Sequence, residues 1–176
     1  MRDRGLFWTL VPDWASAIMD GDGARVEVAV ARQILVVSGE VGAFLSRPGA
    51  DPSLGPRDIA ERETYALRLA PDRVLYVSDR QEAVDLGWSE AGYAVADMTD
   101  GMIVVEVSGP AGHQLMQQGT SYDLLATDVR PAESASILFG GLRVAVVRRP
   151  DGWRLHVERP YAAALWTWFA QTMMSV

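Results

Sequence analysis

Leu35-Val36-Val37-Ser38-Gly39-Glu40-Val41-Gly42-Ala43-Phe44-Leu45 decides the fold, because it lines up with Val105-Glu106-Val107-Ser108-Gly109-Pro110-Ala111-Gly112-His113-Gln114-Leu115. Each copy runs from a β-branched stretch through Ser-Gly into a segment of helical spacing. Ser-Gly suits a strand-to-helix corner, since serine can cap the helix and glycine lets the backbone turn sharply. One Ser-Gly pair is common; two at equivalent places mark an internal repeat. The likeness continues downstream, where strand–Pro71-Asp72–strand matches strand–Pro150-Asp151–strand. Proline presets φ in such turns and aspartate closes them.

Working outward, Arg25 to Ala31 alternates, with Val26, Val28 and Val30 on one side, and Leu6 to Val11 reads as an edge strand. Thr64–Leu69 and Val74–Val77 form a hairpin, and a helix is expected near Gln81–Trp88. In the second half the expected strands are Met102–Val107, Ser134–Phe139, Leu142–Arg148 and Trp153–Val157. Gly140-Gly141 supplies the positive φ of a tight hairpin. One helix carries Leu115 and Met116 and stops at Gly119; another runs from Pro160 to about Met173. Stretches 47–62 and 119–133 read as loops. The expected fold is α+β: a single domain, 1–176, of two similar β-α-β-β-α half-units, about 25–92 and 97–174, with mainly antiparallel sheets.

Composition narrows the chemistry. All 16 basic residues are arginine, the net charge is −7 and cysteine is absent. No lysine means no Schiff base, P-loop lysine or lysine general base. The acidic balance argues against nucleic acid, which needs clustered positive charge. Without cysteine there is no disulfide, thiolate catalysis or cysteine-ligated metal. The N-terminus lacks a signal-peptide core, and no apolar run approaches the ~20 residues of a membrane span. A soluble, cytoplasmic chain is expected.

No catalytic, cofactor or metal site emerges from spacing. His113 has Gln117 at i+4, and His156 has only Glu158 nearby, so neither reads as a zinc ligand. No nucleophile elbow and no Gly-x-Gly-x-x-Gly after a strand are present. Asp97 and Asp100 precede a strand, where aspartate ordinarily bonds its own backbone. Gly21-Asp22-Gly23 is a turn.

Ala96-Asp97-Met98-Thr99-Asp100-Gly101 leads into Ile103-Val104-Val105-Glu106-Val107-Ser108-Gly109-Pro110-Ala111. Gly119 with Asp123-Leu124 follows, and then Val157-Glu158-Arg159-Pro160-Tyr161-Ala162 with Leu165-Trp166 and Trp168. Over roughly residues 63–173 this pattern resembles the folate-binding aminomethyltransferase superfamily, and within it the gamma subunit of heterotetrameric sarcosine oxidase. Thr120 and Ser134 stand where that family often has cysteine. The resemblance implies an aminomethyltransferase N-terminal-domain-like fold. It also implies membership of a complex that demethylates sarcosine oxidatively and passes a one-carbon unit to tetrahydrofolate. FAD, FMN, NAD and tetrahydrofolate are then expected on partner subunits, with none in this chain.

The last helix carries the sharpest feature. At 100° per residue Tyr161, Leu165, Trp168, Phe169 and Thr172 share a face, and Ala162, Trp166 and Met173 widen it. A helix apolar most of the way round is buried on two sides. One side is the chain's own core; the other is either the N-terminal strands or a partner. Tyr161, Trp166, Phe169 and Met173 are the candidate partner interface, and Trp166→Glu is expected to weaken assembly with the fold intact. Three readings follow: an accessory subunit on larger flavoprotein subunits, a stand-alone folate-binding or aminomethyltransferase-like protein, or a homo-oligomer that self-associates through this helix.

Overall fold

The β-branched runs form strands, and the strands assemble into two six-stranded sheets. The computed structural model describes residues 11–21, 23–46, 53–126 and 133–174. In chain order the elements are β1 (Ile18–Gly21), β2 (Ala24–Ala29), β3 (Gln33–Gly39), α1 (Val41–Leu45), β4 (Ser53–Leu54), β5 (Tyr65–Ala70) and β6 (Arg73–Ser78). They continue with β7 (Gly87–Trp88), β8 (Tyr93–Asp97), β9 (Met102–Ser108), α2 (Gly112–Gly119), β10 (Ser136–Phe139), β11 (Leu142–Arg149), β12 (Gly152–Glu158) and α3 (Arg159–Met173). The first sheet has the order β1-β2-β9-β12-β11-β10 and the second β4-β5-β6-β3-β8-β7. Pairing is antiparallel except between β4 and β5.

The two sheets are built alike. Each strand of the quoted repeat lies between the last strand of its own half and a hairpin: β3 between β6 and β8, β9 between β12 and β2. With the halves taken as β1–β6 and β7–α3, each opening on a hairpin, the hairpins are exchanged. β1–β2, near the start of the chain, joins the sheet of the second half, and β7–β8 joins the sheet of the first.

The Ser-Gly corners make this exchange possible. Gly39 and Gly109 have φ +104° and +93°. A Cβ at Gly39 would lie 2.4 Å from the Gly92 carbonyl oxygen, and one at Gly109 would lie 2.5 Å from that of Gly23. Glu40 N–H donates to the Gly92 carbonyl at 3.0 Å, and Ala111 N–H donates to the Gly23 carbonyl at 2.8 Å. Each corner is thus pressed against the turn of an exchanged hairpin. The capping role expected of the serines is not observed: neither α1 nor α2 has a side-chain cap. The Ser38 hydroxyl instead accepts from Arg73 Nε.

Strand alternation sorts the core into layers. On the first sheet Val105, Val107, Val144, Val146, Leu155 and Val157 face α2 and α3, burying Leu115, Leu165 and Phe169. On the second, Leu35, Val37, Val74, Tyr76 and Val95 face Phe44 of α1. Between the sheets lie Ile34, Tyr65, Leu67, Leu75, Val77, Val104, Ala145 and Val147. Central strands buried on both faces read as unbroken apolar runs, which is why β3, β9 and β11 were legible.

One expected element is absent. Residues 81–86 form no helix, and Gly87–Trp88 is an edge strand. Glu82 N–H donates to the Gln33 side chain, and the Glu82 carboxylate accepts from the Tyr76 and Ser78 hydroxyls. Gly87, at φ +91°, is also outside helical geometry. The Leu6–Val11 strand falls on residues 6–10, outside the described residues, and Val11, which is described, belongs to no strand. The Gly140-Gly141 turn has φ +55° and +80°, as its hairpin requires.

Candidate functional site

The apolar arc of α3 divides three ways. Phe169 is fully buried among Phe139, Trp168 and the first sheet, so it is a core residue and not an interface anchor. Trp166 and Met173 are half-buried beneath the N-terminal segment. The Trp14 ring meets Trp166 edge-on at 5.9 Å and 88°, and Met173 lies against Gly21. Residues 14–21 therefore cover the second side of this helix in part. Tyr161 is the one member of the four that stands free, at 51% exposure. Because Trp166 touches the core, Trp166→Glu is now expected to cost fold stability.

Between the sheets sits a buried polar cluster. His156 is enclosed, and its Nδ1 donates to the Ala145 carbonyl at 3.1 Å. That contact fixes the tautomer, so Nε2 accepts from the Tyr65 hydroxyl at 2.9 Å. Burial pushes His156 down to about 4 and Tyr65 up to about 12. Both groups stay neutral from mildly acidic to mildly basic pH, which fits a locked hydrogen bond and not a proton relay. Beside them Arg154 donates to Glu63 at 2.6 Å and to Glu106 at 3.1 Å. Arg149 binds the Ala60 and Arg62 carbonyls and Glu63. Every one of these charges is countered by a neighbour.

A groove of about 590 Å³ opens where the chain crosses between the sheets, with Trp14, Val30, Ile34, Met102 and Arg159 in its wall. Val30 is 74% exposed. Arg159 Nε is held by the Asp100 carbonyl, which fixes the start of α3 at the groove's rim. Asp97 bonds its own turn, accepting from Thr99 N–H at 2.8 Å. The Thr99 contact holds its carboxyl below the usual range. Asp97 is therefore a turn-forming residue in this structure, and Asp100 lies in the turn that follows it. Among the described residues no three His, Cys, Asp or Glu side chains gather to hold a metal ion. No helix among the described residues is long and apolar enough to cross a membrane.

The residue that sequence reasoning passed over is Trp88, which stands 75% exposed on edge strand β7. It had been assigned to a helix that does not form. The available signal in the sequence was Gly87 directly before Trp88, a glycine that breaks a helix ahead of a β-favouring aromatic.

Comparison with known proteins agrees with this architecture. Residues 56–174 match the family described as sarcosine oxidase, gamma subunit family. Among solved structures, a chain of the heterotetrameric sarcosine oxidase from Corynebacterium sp. U-96, in complex with pyrrole 2-carboxylate, is similar in fold. Its TM-score is 0.67 at 16% identity, over 90% of this chain and 87% of that one. No curated protein matches the sequence.

Proposed function

The chain belongs to the sarcosine oxidase gamma subunit family, and from that membership we propose that it is a non-catalytic accessory subunit of a sarcosine oxidase-like flavoprotein complex. In this reading larger partner subunits carry FAD, FMN, NAD and tetrahydrofolate and perform the oxidative demethylation. The chain contributes a folded surface that completes the assembly. The observation that carries the proposal is the family match over residues 56–174. The buried cluster supports it, because His156 and Tyr65 are neutral and mutually bonded and the arginines are neutralised.

The corners of the repeat also fit poorly to a dinucleotide. A pyrophosphate needs free backbone N–H groups at a helix start. Here Glu40 N–H and Ala111 N–H already bind the carbonyls of Gly92 and Gly23.

Co-expression with the larger flavoprotein subunits of a sarcosine oxidase-like complex tests the reading. Co-purification in fixed stoichiometry, with flavin absorbance confined to the larger chains, is the expected result. Micromolar binding of tetrahydrofolate by the isolated chain in a calorimeter would favour a folate-binding protein instead. Light scattering that shows a stable homo-oligomer with no affinity for those chains would favour self-association.

A further inference from the structure

The exchanged hairpins occupy equivalent places in the two sheets, yet their exposed faces differ in chemistry. Gly23 and Gly92 abut equivalent corners, so Ala24–Glu27 of β2 corresponds to Tyr93–Ala96 of β8. Where β2 has Arg25 and Glu27, β8 has Ala94 and Ala96. Asp20 of β1 stands opposite Arg25, and Trp88 of β7 stands opposite Ala94. The first hairpin covers this face with ion pairs, Arg25 to Asp20 at 3.2 Å and to Glu27 at 2.9 Å. Charges of this kind discourage pairing with another chain. On the second hairpin the matching positions are two alanines and an exposed tryptophan.

The edge beside Trp88 is open as well. Ser89 N–H donates to the Tyr93 carbonyl at 2.8 Å. Alternate residues of an antiparallel strand bond to opposite sides, so the N–H and C=O of Trp88 point away from β8. The Trp88 ring lies on the face away from α1, since Val95 and Tyr93 are the β8 residues gathered around Phe44. Leu86 extends the apolar surface.

The rim is acidic. Residues 79–90 contain Asp79, Glu82, Asp85 and Glu90 against the single Arg80, which pairs with Asp79 at 3.9 Å. Glu40 adds a carboxylate beside Gly92. Asp85, Glu90 and Glu40 are all exposed.

From these observations we infer that the β7 edge is a docking site for an extended strand of a larger flavoprotein subunit. That strand carries an apolar residue to cover Trp88, flanked by arginine or lysine to meet Asp85, Glu90 and Glu40. Backbone bonds to Trp88 add affinity, and the ring and carboxylates select the sequence. The inference rests on the accessory-subunit reading and specifies where that subunit is gripped.

Trp88→Ala, Asp85→Arg/Glu90→Arg and wild type are co-expressed with the larger flavoprotein subunits of a sarcosine oxidase-like complex. The fraction that co-purifies is measured at low and high salt, with acrylamide quenching of tryptophan fluorescence before and after assembly. Expected are at least a tenfold loss of co-purifying chain for Trp88→Ala and for the charge reversal, with unchanged melting temperatures. Expected too are a wild-type complex weakened by salt and a quenchable tryptophan that becomes protected on assembly. Full assembly of Trp88→Ala, with wild-type protection unchanged, overturns the docking site and leaves the accessory role standing. Failure of the wild-type chain to co-purify overturns the accessory role and the docking site together. A homodimer of the isolated chain that protects Trp88 assigns this edge to a second copy and overturns the inference.

Discussion

Alanine at position 39 or 109 would meet a carbonyl oxygen at under 2.6 Å while holding a positive φ. Either substitution is expected to cost at least about 2 kcal/mol in urea unfolding. Gly42→Ala is the control: a Cβ there meets nothing within 4 Å, and φ is ordinary. It is expected to be neutral or to stabilise by about 0.5–1 kcal/mol. His156 makes a different prediction. Its folded pKa, about 4, lies below the ordinary 6.5, so between those values the unfolded chain binds the extra proton. Stability from this group is complete above pH 6.5 and falls by about 1.4 kcal/mol per pH unit toward pH 4. Urea midpoints from pH 4.5 to 7.5 should therefore fall more steeply on acidification for wild type than for His156→Gln, and equal slopes would refute the assignment. The sequence offers His156 only Glu158 two residues on, which is not metal-ligand spacing. It could not show the Tyr65 bond, because the partner lies 91 residues away and no local spacing encodes it.

Helix α3 was readable in sequence almost to the residue, because Pro160 opens it and its apolar arc is continuous. Which part of the arc stays exposed was not readable, since that depends on Trp14 returning from the far end of the chain. Trp166→Ala is expected to cost about 2 kcal/mol, less than a fully buried tryptophan. A double-mutant cycle with Trp14→Ala should give a coupling of about 1 kcal/mol. Tyr161→Glu should leave stability within about 0.5 kcal/mol; a larger loss in thermal unfolding would place Tyr161 in the core. The β7 and β8 strands were missed for a related reason. Val84 and Trp88, four residues apart, would share a helix face, but Glu82 between β6 and β7 is tied to Gln33 of β3 and to Tyr76 and Ser78 of β6, residues that no short window of sequence brings together.

At the scale of the molecule, the sheets are fastened along one border. Arg57 pairs with Glu133 at 2.7 Å, Ala60 N–H donates to the Arg148 carbonyl, and Arg149 gathers Ala60, Arg62 and Glu63. Arg149→Met removes the charged donor shared by the Ala60 and Arg62 carbonyls and leaves Glu63 with one cation fewer. It should cost about 3 kcal/mol in urea unfolding; a loss below 1 kcal/mol would mean the border holds without it. The duplicated plan of the fold was legible in the paired Ser-Gly corners, whereas the exchange of hairpins was not, because strand partners are absent from a local pattern. That exchange bears on how the chain comes off the ribosome. Val26 lies between Met19 of β1 and Val107 of β9, and among the described residues β2 pairs with no other strand. A lone two-stranded ribbon is marginal in water, so the opening hairpin must wait until β9 has been synthesised. Nascent chains halted before β9 should stay sensitive to protease around residues 18–29. The long sequence separation of this pairing also predicts slow refolding for a chain of this size.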